Sequence, residues 1–203
     1  MLELNQYYNI KSLTASDSWP EYKRQTASYA IIPIINDLGP DVKGIELGVC
    51  WGVNSYTLLE SCPNISVIVG VDHYKAYKDW DREIFQHEQD HNFLKITQNM
   101  TVMGPRFNLV RASSADAAKE LQDEAYDFVF IDADHSMKAV LEDLDNYWPK
   151  IKPNGIIAGH DANLFSVNFA VTSWAKRKGI DPTNISMLEN QAWCFRKGAT
   201  NAA

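Results

Sequence analysis

Short apolar runs alternate with longer amphipathic stretches along this chain, and the two periodicities assign its elements. Runs rich in Val, Ile and Phe predict strands over Val42–Leu47, Ser66–Val71, Phe107–Arg111, Phe128–Ile131 and Gly155–Ala158. Several are apolar at nearly every position, as strands covered by helices on both faces must be. Helical spacing predicts helices over Val53–Ser61, Asp81–Met103, Ser114–Gln122, Ser136–Tyr147 and Phe165–Lys178. A leading helix over Pro20–Leu38 is stopped by Gly39-Pro40, and Gly179 followed by Pro182 ends the helix at Lys178. The pattern then changes. Asn184–Leu188 and Ala192–Arg196 read as strands joined by the polar link Glu189-Asn190-Gln191, a hairpin-length spacing that predicts an antiparallel pair closing the sheet. The expected class is α/β with a mostly parallel sheet. Five β/α units followed by a hairpin is not the usual dinucleotide-binding order.

The 203 residues suit one domain at ~150 residues per domain, long enough to bury a core without disulfides or metals. Within it, residues 1–20 form an arm carrying Tyr7, Tyr8 and Trp19, residues 21–41 the leading helix, and residues 42–197 the core. The arm is expected to cover a site or meet a second subunit, which makes a homodimer one expectation. Hydrophobic residues at 45% and charged ones at 22% are ordinary globular usage. Acidic residues outnumber basic ones, 26 to 19, for a net charge of −7, which disfavours nonspecific contact with nucleic acid or an anionic membrane. Cys50, Cys62 and Cys194 form no CxxC, so a disulfide scaffold or a cysteine zinc cluster is excluded and a reducing cytoplasm is expected. No apolar run approaches the ~20 residues of a membrane span, and the first residues do not resemble a signal peptide.

The most informative stretch is Gly44-Ile-Glu46-Leu-Gly48-Val-Cys50-Trp-Gly52, a strand running into a glycine turn and then a helix. Glycines let the backbone approach a ligand closely, and a helix N-terminus offers free N–H groups to a carboxylate. The plain alternative is a tight β–α turn without a ligand. A nicotinamide-type GxGxxG is not matched, because the pattern is acid-x-Gly-x-x-x-Gly. A second strand, Val67-Ile-Val-Gly-Val-Asp72, ends in an acid 26 residues after Glu46. An acid there can accept hydrogen bonds from both ribose hydroxyls; alone it would more often cap the next helix, but beside the first motif the nucleoside reading is preferred.

These segments, with Asp127-Phe-Val-Phe-Ile-Asp132-Ala-Asp134-His135-Ser136 and Lys152-Pro-Asn-Gly155-Ile-Ile-Ala-Gly-His160-Asp161, resemble the class I S-adenosylmethionine-dependent methyltransferases. Ile-Asp-Ala-Asp-His-Ser and Gly-His-Asp are similar to the small-molecule and sugar O-methyltransferase branch, macrocin O-methyltransferase-like. The resemblance runs from about Val42 to Phe195, with four motifs in order. It implies a Rossmann-like seven-stranded sheet with helices on both faces and the C-terminal antiparallel hairpin. It further implies that Glu46 and the turn Gly48, Cys50 and Gly52 hold the methionine end of the cofactor. Asp72 and His73 would meet the ribose, and Ser113, Ser114 and Ala115 would lie along the adenine, with Asp132 on the same rim. Cys50 stands where many relatives have glycine.

Asp132 and Asp161 close two strands at the carboxyl edge of the sheet, with Asp134, His135 and His160 beside them. Asp132 and Asp161 could take Mg²⁺ through oxygen. Metal-dependent relatives place Asn or Asp after the second acid, whereas this chain has Ala162 and then Asn163. Without metal, His135 or His160 is the candidate general base, since imidazole titrates near working pH, and Asp134 is a further catalytic candidate. The plain reading is that Ser136 caps a helix and His135 packs beside the cofactor. His87-Glu88-Gln-Asp-His91 matches the zinc pattern HExxH, but on so polar a helix a solvated face or a substrate-facing lid is preferred. Tyr74, Tyr77 and Trp80 could line an acceptor pocket, while Trp148, Trp174 and Trp193 belong to the core. The expected activity is methyl transfer from S-adenosylmethionine to a small-molecule hydroxyl. A methyltransferase for another atom or a macromolecule, and a noncatalytic module that binds the cofactor or a nucleoside, are the rivals.

Overall fold

The computed structural model describes Ile10, Thr14, and residues 19–79 and 82–198. Tyr7, Tyr8, Trp80 and Asp81 lie outside the described residues, and so does most of the expected arm. The core is a seven-stranded sheet of β1 (Val42–Leu47), β2 (Ile65–Asp72), β5 (Phe107–Arg111), β6 (Tyr126–Ile131), β7 (Ile151–Gly159), β8 (Ser186–Met187) and β9 (Trp193–Arg196). Their order across the sheet is β5-β2-β1-β6-β7-β9-β8. The first five are mutually parallel, and β9 runs antiparallel to both β7 and β8.

The period of two along each strand divides the core. Ile45, Leu47, Val129 and Ile131 pack one face against α5 (Ser114–Glu120), α6 (Met137–Tyr147) and α7 (Phe165–Arg177). Phe128, Phe130, Ile156 and Ile68 pack the other against α3 (Val53–Ser61), α4 (Gln86–Asn99) and the leading segment. The continuous apolar runs of the sequence are thus two alternating sets, both buried. Trp174 and Trp193 are fully buried and Trp148 packs against them from the core margin. Among the described residues, no helix is long and apolar enough to cross a membrane.

Three expectations are corrected. The leading helix over Pro20–Leu38 is broken into α1 (Trp19–Gln25), a 3-10 turn over Ala27–Ile31, and α2 (Ile32–Asn36). Thr26 is extended, and Pro33, which has no N–H to donate, sits in the first turn of a new helix. The helix expected over Asp81–Met103 starts only at Gln86, because β4 (Arg82–Ile84) pairs antiparallel with β3 (Tyr77–Asp79). The Glu88 carboxylate accepts the Phe85 N–H at 2.9 Å and caps the helix there. It ends at Asn99, and a 3-10 segment runs on to Arg106 through Gly104-Pro105. The first strand of the terminal hairpin shrinks from Asn184–Leu188 to two residues, since Pro182–Asn184 forms a 3-10 turn capped by the Asp181 carboxylate on Thr183 N–H.

Candidate active site

Parallel strands present their carboxyl ends at one edge, and there the turns after β1, β2, β5 and β6 enclose a cavity of about 820 Å³. That is within the roughly 300–1,000 Å³ of small-ligand sites. Gly48, Cys50 and Trp51 line it from the first turn, Asp72 and His73 from the second, and Ala112, Ser113 and Ser114 from the third. Asp132, Asp134 and His135 follow β6, and Ala139 and Asp143 come from α6. The β3–β4 ribbon and α4 form a cover with Tyr77, Ile84, His87, Glu88 and His91.

The glycine turn is shaped by close approach. Gly48 has φ +81°, and a Cβ on it would lie 2.0 Å from the carbonyl oxygen of Asp132. Cys50 holds the left-handed region at φ 52°, so the conformation that glycine would favour persists with a thiol on it. Two bonds keep it there. The Cys50 N–H donates to Asp72 Oδ2 at 2.9 Å, and the Tyr74 hydroxyl donates to the Cys50 carbonyl at 2.7 Å. Asp72 Oδ1 accepts the Tyr74 N–H at 3.0 Å, so each oxygen of that carboxylate bears one backbone donor and keeps acceptor capacity towards the cavity. Tyr74 is fully buried as the clasp of this turn, whereas Tyr77 is exposed on the cover.

Glu46 lies fully buried beneath the turn and does not line the cavity. The Ser55 hydroxyl donates to one carboxylate oxygen, and the other has no partner. Burial pushes this carboxyl up to about 8, and the nearby Asp132 and Asp72 add to the effect. Gly52, at φ +96°, is also buried and caps α3. Ser113 caps α5, accepting the Asp116 N–H at 3.1 Å. Ser114 faces the cavity, whereas Ala115 is exposed on α5 and not among its walls.

Across the cavity, Asp132 and Asp161 share two imidazoles. His135 Nε2 is 2.8 Å from Asp161 Oδ2, and His160 Nδ1 is 3.2 Å from the same oxygen and 3.4 Å from Asp132 Oδ1. The His135 contact is an ion pair without hydrogen-bond alignment, and the same buried nitrogen lies 3.9 Å from Asp132 Oδ1. The carboxylates of Asp132 and Asp161 push His135 up to about 10. For His160 burial acts downward, but the same two carboxylates outweigh it and raise it to about 10. Conversely, burial would raise both acids, yet the imidazoles hold Asp132 and Asp161 below the usual carboxylate range. Asp134 is exposed, and its Oδ1 accepts the Ser136 N–H at 2.7 Å while Ser136 caps α6.

Among the described residues, Asp132, His135 and Asp161 are the trio whose ligand atoms all lie within 4.8 Å of one another. This set does not fit Mg²⁺, a hard ion that demands near-octahedral oxygen and retains waters. The third donor is a nitrogen, the carboxylate oxygens already face imidazoles, and the positions after Asp161 are Ala162 and an exposed Asn163. His87 and His91 form no such trio with Glu88, whose carboxylate caps α4.

Three contributors are not evident from motif spacing. The Asn54 amide donates to Asp132 Oδ2 at 2.9 Å while its own oxygen accepts the Ser28 N–H, anchoring the rim to the leading segment. The Trp193 indole donates to the His160 carbonyl at 3.0 Å, and Gly159 lets that ring lie against β7. Asp143, buried on α6, faces the cavity two turns after His135. Asn54 carries a weak signal as a polar residue opening a helix; the other two pairings are long-range.

Residues 45–162, more than half of the chain, match the family model described as a methyltransferase domain. The protein belongs to that family. Its fold is shared with a Corynebacterium glutamicum protein (TM-score 0.60, 14% identity, 98% of both chains) and with the O-methyltransferase NovP (0.60, 13%, 87% of this chain and 78% of NovP). The SAH-bound Podospora anserina methyltransferase PaMTH1 is similar too, at TM-score 0.59 and 14% identity over 97% of each chain. In sequence, the chain is 25% identical over 136 residues to a Sinorhizobium fredii protein named uncharacterized protein y4gI. The match covers 66% of this methyltransferase and 14% of that much longer relative.

Proposed function

We propose that this methyltransferase moves a methyl group onto a hydroxyl oxygen of a small acceptor held between the rim after β6 and the cover formed by β3–β4 and α4. The observation that carries the reading is the Asp132–His135–His160–Asp161 cluster at the cavity edge, a proton-handling group that a binding module does not need. The cavity fits the methyl donor in its chemistry: Asp72 and Asp132 line it, and Lys and Arg are absent from its walls among the described residues. Such a surface suits a ligand carrying an ammonium and a sulfonium.

S-adenosylmethionine supplies an electrophilic methyl group when bound. Asp72 accepts the ribose hydroxyls with the capacity its backbone donors leave free. The Gly48–Gly52 turn would border the methionine end, its Gly48, Cys50 and Gly52 N–H groups being held by Val71, Asp72 and Val49, and Ser113 and Ser114 would border the adenine. His135 takes the acceptor proton on Nδ1, the ring nitrogen not turned to Asp161, while Asp161 and Asp132 face Nε2, orient the ring and stabilise the imidazolium that results. Alignment contributes the remainder, because in a direct displacement the protein chiefly holds donor and acceptor in line. The test is calorimetric titration with S-adenosylmethionine and S-adenosylhomocysteine, followed by a methyl-transfer screen of hydroxylated sugars and phenols. His135→Ala should retain binding and lose about 10²–10⁴-fold in turnover. Undiminished turnover by that variant would remove His135 from the chemistry.

A further inference from the structure

Asp143 is a buried carboxyl that the methyl-transfer chemistry does not use. It lies on α6, one turn after Ala139, and this pair forms a wall of the cavity beside Ser114. Only 4% of it is exposed, and its surroundings make a charge costly: burial pushes its carboxyl up to about 6, with Asp134 and Glu142 adding to the effect. A hydrogen bond with Ser114 offsets part of that cost. One turn further, the buried Tyr147 hydroxyl donates to the Ser114 carbonyl at 2.8 Å, fixing α6 against the start of α5. The arrangement therefore keeps an expensive acid in the cavity wall beside Ser114. A residue needed only for packing there would be apolar, like Val140 and Leu144 on the same helix.

We propose that Asp143 is the residue that recognises the adenine edge of the cofactor, its carboxyl accepting the N6 amino hydrogen. The inference rests on the cofactor placement above, which brings the base to Ser113 and Ser114. A purine bearing a carbonyl oxygen at C6 would set acceptor against acceptor at this point. Asp143 thereby selects an adenine nucleoside over its deaminated counterpart, and Ser114 keeps the carboxyl turned to the base.

The test compares S-adenosylhomocysteine with S-inosylhomocysteine by calorimetric titration of the full chain at pH 7.5. The wild type should prefer the adenine compound by about tenfold or more, the size expected for one charge-assisted hydrogen bond against an unpaired acceptor. In Asp143→Ala the ratio should fall close to one. In Asp143→Asn, whose amide can turn its NH₂ towards the C6 oxygen, it should fall and the inosine compound should gain in absolute affinity. A purely structural Asp143 would weaken both ligands equally and leave the ratio unchanged, which overturns the proposal. If neither compound binds the wild type, the cofactor placement itself fails, a result distinct from an unchanged ratio. Thermal melts of each variant exclude misfolding, and Asp143→Asn preserves the shape if Asp143→Ala does not fold.

Discussion

Two imidazoles raised to about 10 make a demanding base, and the cost can be worked out. A group titrating near 10 is neutral in about one molecule in a thousand at pH 7. If neutral His135 receives the acceptor proton, kcat/KM of the free enzyme rises about tenfold per pH unit from neutrality and levels off near pH 10. Asp161→Asn tests the cause of the shift. Its carboxylate and that of Asp132 together lift His135 from 6.5 to about 10. If each supplies roughly half, the variant's limb falls to about pH 8, and the neutral fraction at pH 7 grows by about two orders of magnitude. Loss of ring orientation lowers the plateau at the same time, so the variant is slower than wild type at pH 10 and closer to it at pH 7. Initial rates at saturating S-adenosylmethionine from pH 6 to 10, with acceptor well below its KM, read both effects. A wild-type limb near 6.5, or an Asp161→Asn limb unmoved from wild type, would refute the reasoning. Cofactor affinity measured by calorimetry should be the same in both proteins.

Other outcomes follow from the packing. Gly48→Ala puts a methyl 2.0 Å from the Asp132 carbonyl at a positive φ, so urea unfolding should show a loss of about 2–4 kcal/mol, together with weakened cofactor binding. Trp174 is fully buried and its indole donates to Asp145 at 2.9 Å. Trp174→Ala should cost about 3–5 kcal/mol in the same measurement, with Trp174→Phe much milder. Asp143 has its carboxyl raised from 3.8 to about 6, so its burial opposes folding progressively between pH 3.8 and about 6, with no such cost below that window and a constant one above it. Asp143→Asn should therefore gain stability relative to wild type across that window, approaching about 3 kcal/mol above it in melts run as a pH series.

What could be read from the sequence was the part governed by local pattern. The apolar runs located the parallel strands to within a few residues, since a strand covered on both faces has no other way to be written. Gly44 to Gly52 and Val71-Asp72 marked two strand–turn segments whose ends line the cavity, because close backbone approach and an acid at a strand tip are local requirements. The β3–β4 pairing was not legible: the run from Asp81 is compatible in sequence with a helix, and cross-strand pairing of Arg82–Ile84 with Tyr77–Asp79 overrides that propensity. Likewise, the contact between His135 and Asp161 joins residues from two loops brought together only by the β6–β7 pairing. The Mg²⁺ expectation counted carboxylates along the chain, whereas the imidazoles that occupy them become visible only in three dimensions. The leading segment breaks first at the extended Thr26, and Pro33, with no N–H to donate, falls in the first turn of the helix that restarts after it.

The double engagement of Asp72 has a bearing on how this cleft moves as a unit. One oxygen holds the backbone of the turn after β1 and the other the backbone after β2, where Tyr74 crosses back to the first turn. The carboxylate is thus a rivet between two loops as well as a ligand-facing group. Both loops are bonded to the one carboxylate, and the cover beginning at Tyr77 follows the second of them in the chain. On the proposed placement of the nucleoside, a change at Asp72 on binding would therefore reach the cover through the second loop. An Asp72→Ala variant would loosen the cleft before any ligand arrived, so its lost affinity would measure two linked defects, and only Asp72→Asn begins to separate them.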